Sequence, residues 1–332
     1  MQADRNQASL RASRSAHWIG RNIGLLLVFA ILAAAIVLYC AIYFVQQNTL
    51  PGNFELTSTV NNTMPLAMSG LGQAIVILTR GIDLSVGGIM DFTNALAAIH
   101  MQDNPLSMVV WTAVVLGAGA LGGLLNGLLV GYGRLQPILV TLATLSIFQG
   151  VALRVLPEPG GAIPPRYTAA LVNTDQPYAL LYVLAAALLW MALRRTRIGV
   201  ALFAVGNDEQ SARAHGVDVV RTKVIAYTLS GLLAAAGGLC LAANATAGDA
   251  TSGNGFTLTS IVAVVLGGIS LFGGRGNMIG ALAGAFVTTM IVNILFFAHI
   301  DPLYQSFYEG LFLIIAVVLG AALGGLLKRG RG

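Results

Sequence analysis

The chain has 332 residues, of which 56% are hydrophobic and only 9% charged, whereas a soluble domain carries about 25% charged residues; a soluble fold is excluded. The net charge of +5 does not point to nucleic acid, because the 18 Lys and Arg sit almost entirely beside apolar stretches, where they fix orientation. The two cysteines, Cys40 and Cys240, lie inside apolar segments, which implies buried free thiols and no disulfide framework.

In chain order, Arg5, Arg11, Arg14 and Arg21 precede an apolar run over 23–45. That run is too long for a signal-peptide core and lacks a small-residue cleavage site, so it reads as a retained first span. Further candidate spans follow at 60–78, 83–101, 108–131, 137–155, 178–193, 223–243, 258–272, 278–298 and 304–327. The segments at 178–193 and 258–272 are short enough to be broken or re-entrant. Ten crossings starting inside return the C-terminus inside. Sixteen of the 18 basic residues then face the cytoplasm, and only Arg154 and Arg166 face out, a strong positive-inside asymmetry. The expected organisation is a cytoplasmic tail (1–22), a transmembrane domain (23–327) and a short cytoplasmic tail (328–332).

Between the second and third runs lies Gly81-Ile82-Asp83-Leu84-Ser85-Val86-Gly87-Gly88. Hydrocarbon disfavours a carboxylate, a hydroxyl and glycine-rich backbone, so this stretch is expected to be buried in protein or to line a watery cavity. Asp83 begins a span and can cap its helix through the Ser85 or Val86 amides; with Gly81, Ser85, Gly87 and Gly88 it forms a candidate gate or hinge. Asp91 is plainly mid-span, with Asn94 one turn on and on the same face. Asn126, Gln149 and Asn293 are the other polar residues at membrane depth. These five are candidates for lining a pathway, with helix-to-helix hydrogen bonds as the alternative role.

Gly119, Gly123, Gly127 and Gly131 recur every fourth residue, and Gly320 with Gly324 repeats the spacing. Such faces bring helices into close packing, within one subunit or between two. Residues 157–177 hold five of the ten prolines and read as an external loop, as does 244–257; 194–222 is the longest inside connection. Gly81–Leu84 and Asn94–Ala97 are faintly echoed by Gly268–Leu271 and Gly280–Ala283, as duplicated halves would require.

The absences also carry information. Neither Lys223 nor Lys328 has P-loop context, the four histidines show no metal-site spacing, and no nucleophile elbow has plausible partners. Energy for transport must therefore come from an ion gradient or from another subunit.

The run Gly81–Gly88 resembles the signature of the permease subunits of bacterial ABC sugar importers of the ribose, xylose, arabinose and galactofuranose type. Three further blocks agree in order: Gly123–Gly127 followed by Gln136–Leu145; Gly199–Gly216 with Ala204-Val205-Gly206-Asn207 and Ala212–Val217; and Val264–Gly268 through Leu271–Gly274. The resemblance spans roughly 60–325. It implies an all-α inner-membrane permease that pairs with a second copy or an unlike permease, with ATPase subunits at the cytoplasmic face. A periplasmic binding protein would deliver a monosaccharide or similar polyol at loops 157–177 and 244–257. ATP and Mg would reside on the partner, and no cofactor, metal or nucleic acid on this chain. The stretch 206–217 would be the coupling helix, carried by Gly206, Asn207, Ala212, Arg213 and Gly216. Branched-chain amino acids, nucleosides or a signalling furanone are alternative cargoes, and a gradient-driven carrier an alternative class. The chain departs from the family pattern in having Arg80 where Gly is common, and Thr257 and Thr259 where acidic residues are common.

Overall fold

A computed structural model describes residues 2–301 and, beyond them, Tyr304, Phe307, Tyr308, Gly310, Leu311, Ile314 and Ile315. The expected span 304–327 and the Gly320/Gly324 pair lie mostly or wholly outside the described residues. What is described is all-helical: α1 (Gln2–Gln47), α2 (Asn53–Leu78), α3 (Val86–His100), α4 (Pro105–Gly131), α5 (Pro137–Val155), α6 (Pro165–Leu171), α7 (Ala179–Leu193), α8 (Arg197–Asn207), α9 (Glu209–Ala214), α10 (Val219–Ala245), α11 (Asn254–Leu266) and α12 (Met278–Phe297).

Among these, five helices are long and apolar enough to cross a membrane: α1 from Gly24, α4, α5, α10 and α12. A sixth forms if α7 and α8, which meet at 78°, count as one broken span. Other runs read as spans behave differently. At 1.5 Å per residue, α3 with 15 residues and α11 with 13 fall short of a hydrocarbon core of roughly 30 Å.

The helix α2 is long but polar, with Thr57, Thr59, Asn61, Thr63, Ser69 and Gln73 all buried. A helix enclosed by protein does not need a lipid-facing apolar surface, because its neighbours satisfy its polar groups. Pro65 illustrates this. Lacking an N–H, it cannot bond the Asn61 carbonyl one turn back, and Asn244 Nδ2 of α10 donates to that oxygen instead, at 3.0 Å.

At the centre, α10 packs against α2, α3 and α4. The glycine stripe makes the α4–α10 approach possible. A Cβ at Gly123 would overlap the Tyr227 carbonyl, at Gly119 the Gly231 carbonyl region, and at Gly127 the Val224 backbone. The stripe is used for packing within one chain. Elsewhere α1 lies along α12, where Tyr39 and Tyr43 each meet Phe297 edge to face.

The loops at the two ends differ. At one end, 157–177 folds back on 244–257 through a reciprocal pair of hydrogen bonds between Gly160 and Gly248, at 2.9 and 2.8 Å. At the other end, the break between α2 and α3 meets the break between α11 and α12, where the Gly274 amide donates to the Leu78 carbonyl at 3.0 Å. The two segments joined by the sequence echo are thus both helix breaks, and they lie side by side.

Candidate transport site

The α2–α3 break is a closed polar knot. Asp83 Oδ1 accepts the Ser85 amide at 3.0 Å and the Ser85 hydroxyl at 2.5 Å, while Oδ2 accepts the Ser230 hydroxyl of α10 at 2.8 Å. Asn126 Nδ2 of α4 donates to Ser85 Oγ at 2.8 Å, and Asn126 Oδ1 accepts from Thr144 of α5 at 2.8 Å. With its amide turned to satisfy both contacts, Gln73 of α2 donates to the Asp83 carbonyl at 2.9 Å and accepts its amide at 3.2 Å. Six side chains from the break and four helices therefore converge, all buried. Such a satisfied network fixes relative helix positions, because each displaced partner would leave a dry polar atom.

Glycines let the neighbours close in. A Cβ on Gly81 would stand 2.5 Å from Tyr227 Oη. One on Gly87 would overlap Thr257 Oγ1, and one on Gly88 would come within 2.7 Å of the Leu145 carbonyl. Short α3 is thus wedged between α11 and α5.

One turn further along α3, the hydrogen bonding is incomplete. Asp91 Oδ1 accepts the Gly253 amide at 2.5 Å, but Asp91 Oδ2 is buried with no hydrogen-bond partner among the described residues. Thr257 Oγ1, packed against the same turn of α3 at Gly87, is also buried and unpartnered. Asn94 Oδ1 accepts the Asp249 amide at 3.0 Å, and its amide reaches Ser252 Oγ at 3.5 Å. Gln149 of α5 donates to Asn254. Together α3, α5 and the 246–257 segment bring a carboxylate oxygen, a hydroxyl and amides into one region.

The sequence matches the family described as "Branched-chain amino acid transport system / permease component" over residues 56–323. Curated relatives agree. A ribose import permease of Bacillus subtilis (strain 168) is 34% identical over 281 residues, 81% of this chain and 86% of that protein. A fructose import permease of Rhizobium meliloti is 34% identical over 280 residues, 80% of this chain and 77% of its own length. An autoinducer 2 import permease of Klebsiella pneumoniae is 34% identical over 322 residues, 93% of this chain and 89% of its own.

The chain belongs to this permease family. It is a permease subunit of the ABC sugar-importer type, a transport component with no ATPase site of its own, seated in the bacterial inner (plasma) membrane. No solved structure matches it.

Within this permease the residues singled out from sequence fall into separate groups. Asp83, Ser85 and Asn126 share the closed knot. Asp91, Asn94 and Gln149 each bond the 249–254 segment. Asn293 stands apart on α12, where its amide donates to Thr59 of α2 at 3.0 Å. Gly206 and Asn207 end α8, and Asp208 caps α9 by accepting the Ser211 amide at 2.6 Å. That bond, with the Ser211 hydroxyl, holds the Asp208 carboxyl below its ordinary value. Ala212 is buried between Val205 and Val219, and Gly216 turns the chain out of α9 at φ +80°. Arg213 is exposed at a shallow cavity of about 260 Å³ that Arg134, Glu209 and Lys223 also line.

Gln73, Thr144, Ser230, Gly253 and Asn254 were not singled out from sequence. A hydroxyl or amide inside an apolar run is the only signal they give, and serines and threonines commonly bond their own helix.

Proposed function

We propose that this permease carries a monosaccharide or similar polyol inward, and that the sugar passes Asp91. The buried, unpartnered Asp91 Oδ2 supports this reading, since a dry carboxylate oxygen without a donor is costly unless a partner arrives. A hydroxylated solute brings such donors. The relatives named for ribose and fructose import favour this cargo class. Those named for autoinducer 2 import favour a signalling furanone as the second reading.

In this reading about ten segments lie in the membrane, α3 and α11 among them as short or broken ones, with both termini cytoplasmic. The gathering of Arg134, Arg213 and Lys223 around one cavity supports placing that end inside. Residues 194–222 then meet a partner ATPase, which holds ATP and Mg, with Gly206–Gly216 as its docking segment. The joined loops 157–177 and 244–257 receive a periplasmic solute-binding protein, and a second permease, identical or unlike, completes the pathway. The Asp83 knot, of which Asn126 is a member, serves as gate or hinge below Asp91. Asn293 is the weakest pathway candidate, because its amide already joins α12 to α2.

The test is ATP-dependent uptake across a sugar panel by the complete importer in proteoliposomes, with Asp91→Asn and Asn94→Ala. Uptake and stimulated ATPase activity left intact in both variants would remove Asp91 and Asn94 from the pathway. Uptake driven by a proton gradient without ATP would remove the importer reading.

A further inference from the structure

Arg80 is in the left-handed region, φ +64°, a conformation that a residue with a Cβ disfavours. The structure holds it there through its side chain. The guanidinium donates to the Gly206 carbonyl at 2.8 Å, to the Phe272 carbonyl at 3.0 Å and to the Asn207 carbonyl. Gly206 and Asn207 are the last two residues of α8. Their outward-facing carbonyls carry the negative end of the helix dipole, and a cation there is favoured. Phe272 lies in the break between α11 and α12. One side chain thus pins three segments distant in sequence.

The backbone around it fits as closely. A Cβ on Gly206 would overlap the Leu78 carbonyl, and one on Gly273 would stand 3.0 Å from the Gly206 carbonyl. Three residues after Arg80 comes Asp83, held by Gln73, Ser85 and Ser230. No slack loop separates the α8 terminus from the knot.

We infer that Arg80 is the positioning residue that couples the α8–α9 segment to the Asp83 knot. Movement of Gly206–Gly216 reaches the α2–α3 break through its guanidinium. This rests on the proposed docking of an ATPase at that segment. A fork of donors suits the task, because it reaches several carbonyls from one rigid plane where an ammonium is a single point charge.

The experiment uses the complete importer in proteoliposomes and measures solute imported per ATP hydrolysed, together with co-purification of the ATPase. Arg80→Gly relieves the backbone conformation, so the variant is expected to assemble and hydrolyse ATP. Its imported-to-hydrolysed ratio is expected to fall about tenfold, within the usual range for coupling between sites. Arg80→Lys is expected to give an intermediate ratio. An unchanged ratio in Arg80→Gly overturns the inference. So does full coupling in Arg80→Lys, including the case in which Arg80→Gly fails to assemble, since the link would then be merely structural. Absence of ATP-dependent uptake by the unsubstituted protein would instead defeat the docking reading itself.

Discussion

Asp83 and Asp91 lie eight residues apart, both fully buried, yet their surroundings differ in kind. Both Asp83 oxygens are taken, by two serine hydroxyls and one amide, and each serine belongs to a different part of the fold. One Asp91 oxygen is taken and the other is open. Burial alone therefore does not distinguish the two carboxylates; the count of satisfied lone pairs separates a group fully spent on its neighbours from one with acceptor capacity left.

That contrast can be broken most sharply at Asp83. Asp83→Ala strips partners from Ser85, Ser230 and the break, and is expected to destabilise the folded protein by about 3 kcal/mol, read as thermal unfolding in detergent. A change under about 1 kcal/mol would mean that the knot is not a lock. Asn126→Ala removes one link between α4, the break and α5, and should cost about 2 kcal/mol in the same assay.

Asp91→Asn should behave oppositely. Stability is expected to stay within about 1 kcal/mol, because the Gly253 amide keeps an oxygen acceptor, while uptake falls about tenfold, equivalent to ~1.4 kcal/mol. Parallel losses of uptake and stability would make Asp91 a second lock.

The smallest effect concerns pH at α9. The folded Asp208 carboxyl is held low by the Ser211 amide, so its contribution is present above the unfolded carboxylate value and lost as pH falls through the folded one. The protection of the amides at the start of α9, measured as exchange relative to the intrinsic rate at the same pH, should therefore fall in acid, below the ordinary carboxylate value, and Asp208→Asn, which keeps a cap acceptor, should abolish that acid dependence.

The span over 137–155 was legible to the residue, because proline starts it and uniform apolarity carries it to Val155. The run at 60–78 was legible as a helix, but its polar, enclosed character was not, since enclosure depends on what packs around it. Asp91 and Asn94 share a helical face by periodicity alone. That Asn126 belongs with Asp83 rather than with them follows from the glycine-mediated approach of α4 to α10, which brings residues 41 positions apart within 2.8 Å.

By itself the sequence determined the class and the family of this protein. Apolar length, the bias of basic residues and four ordered blocks are one-dimensional properties that survive without coordinates. The tertiary structure alone decided which polar groups are spent and which are open, that Arg80 reaches the end of α8, and that two distant helix breaks touch. Those outcomes depend on pairwise distances between segments far apart in the chain, and local propensity carries no information about them.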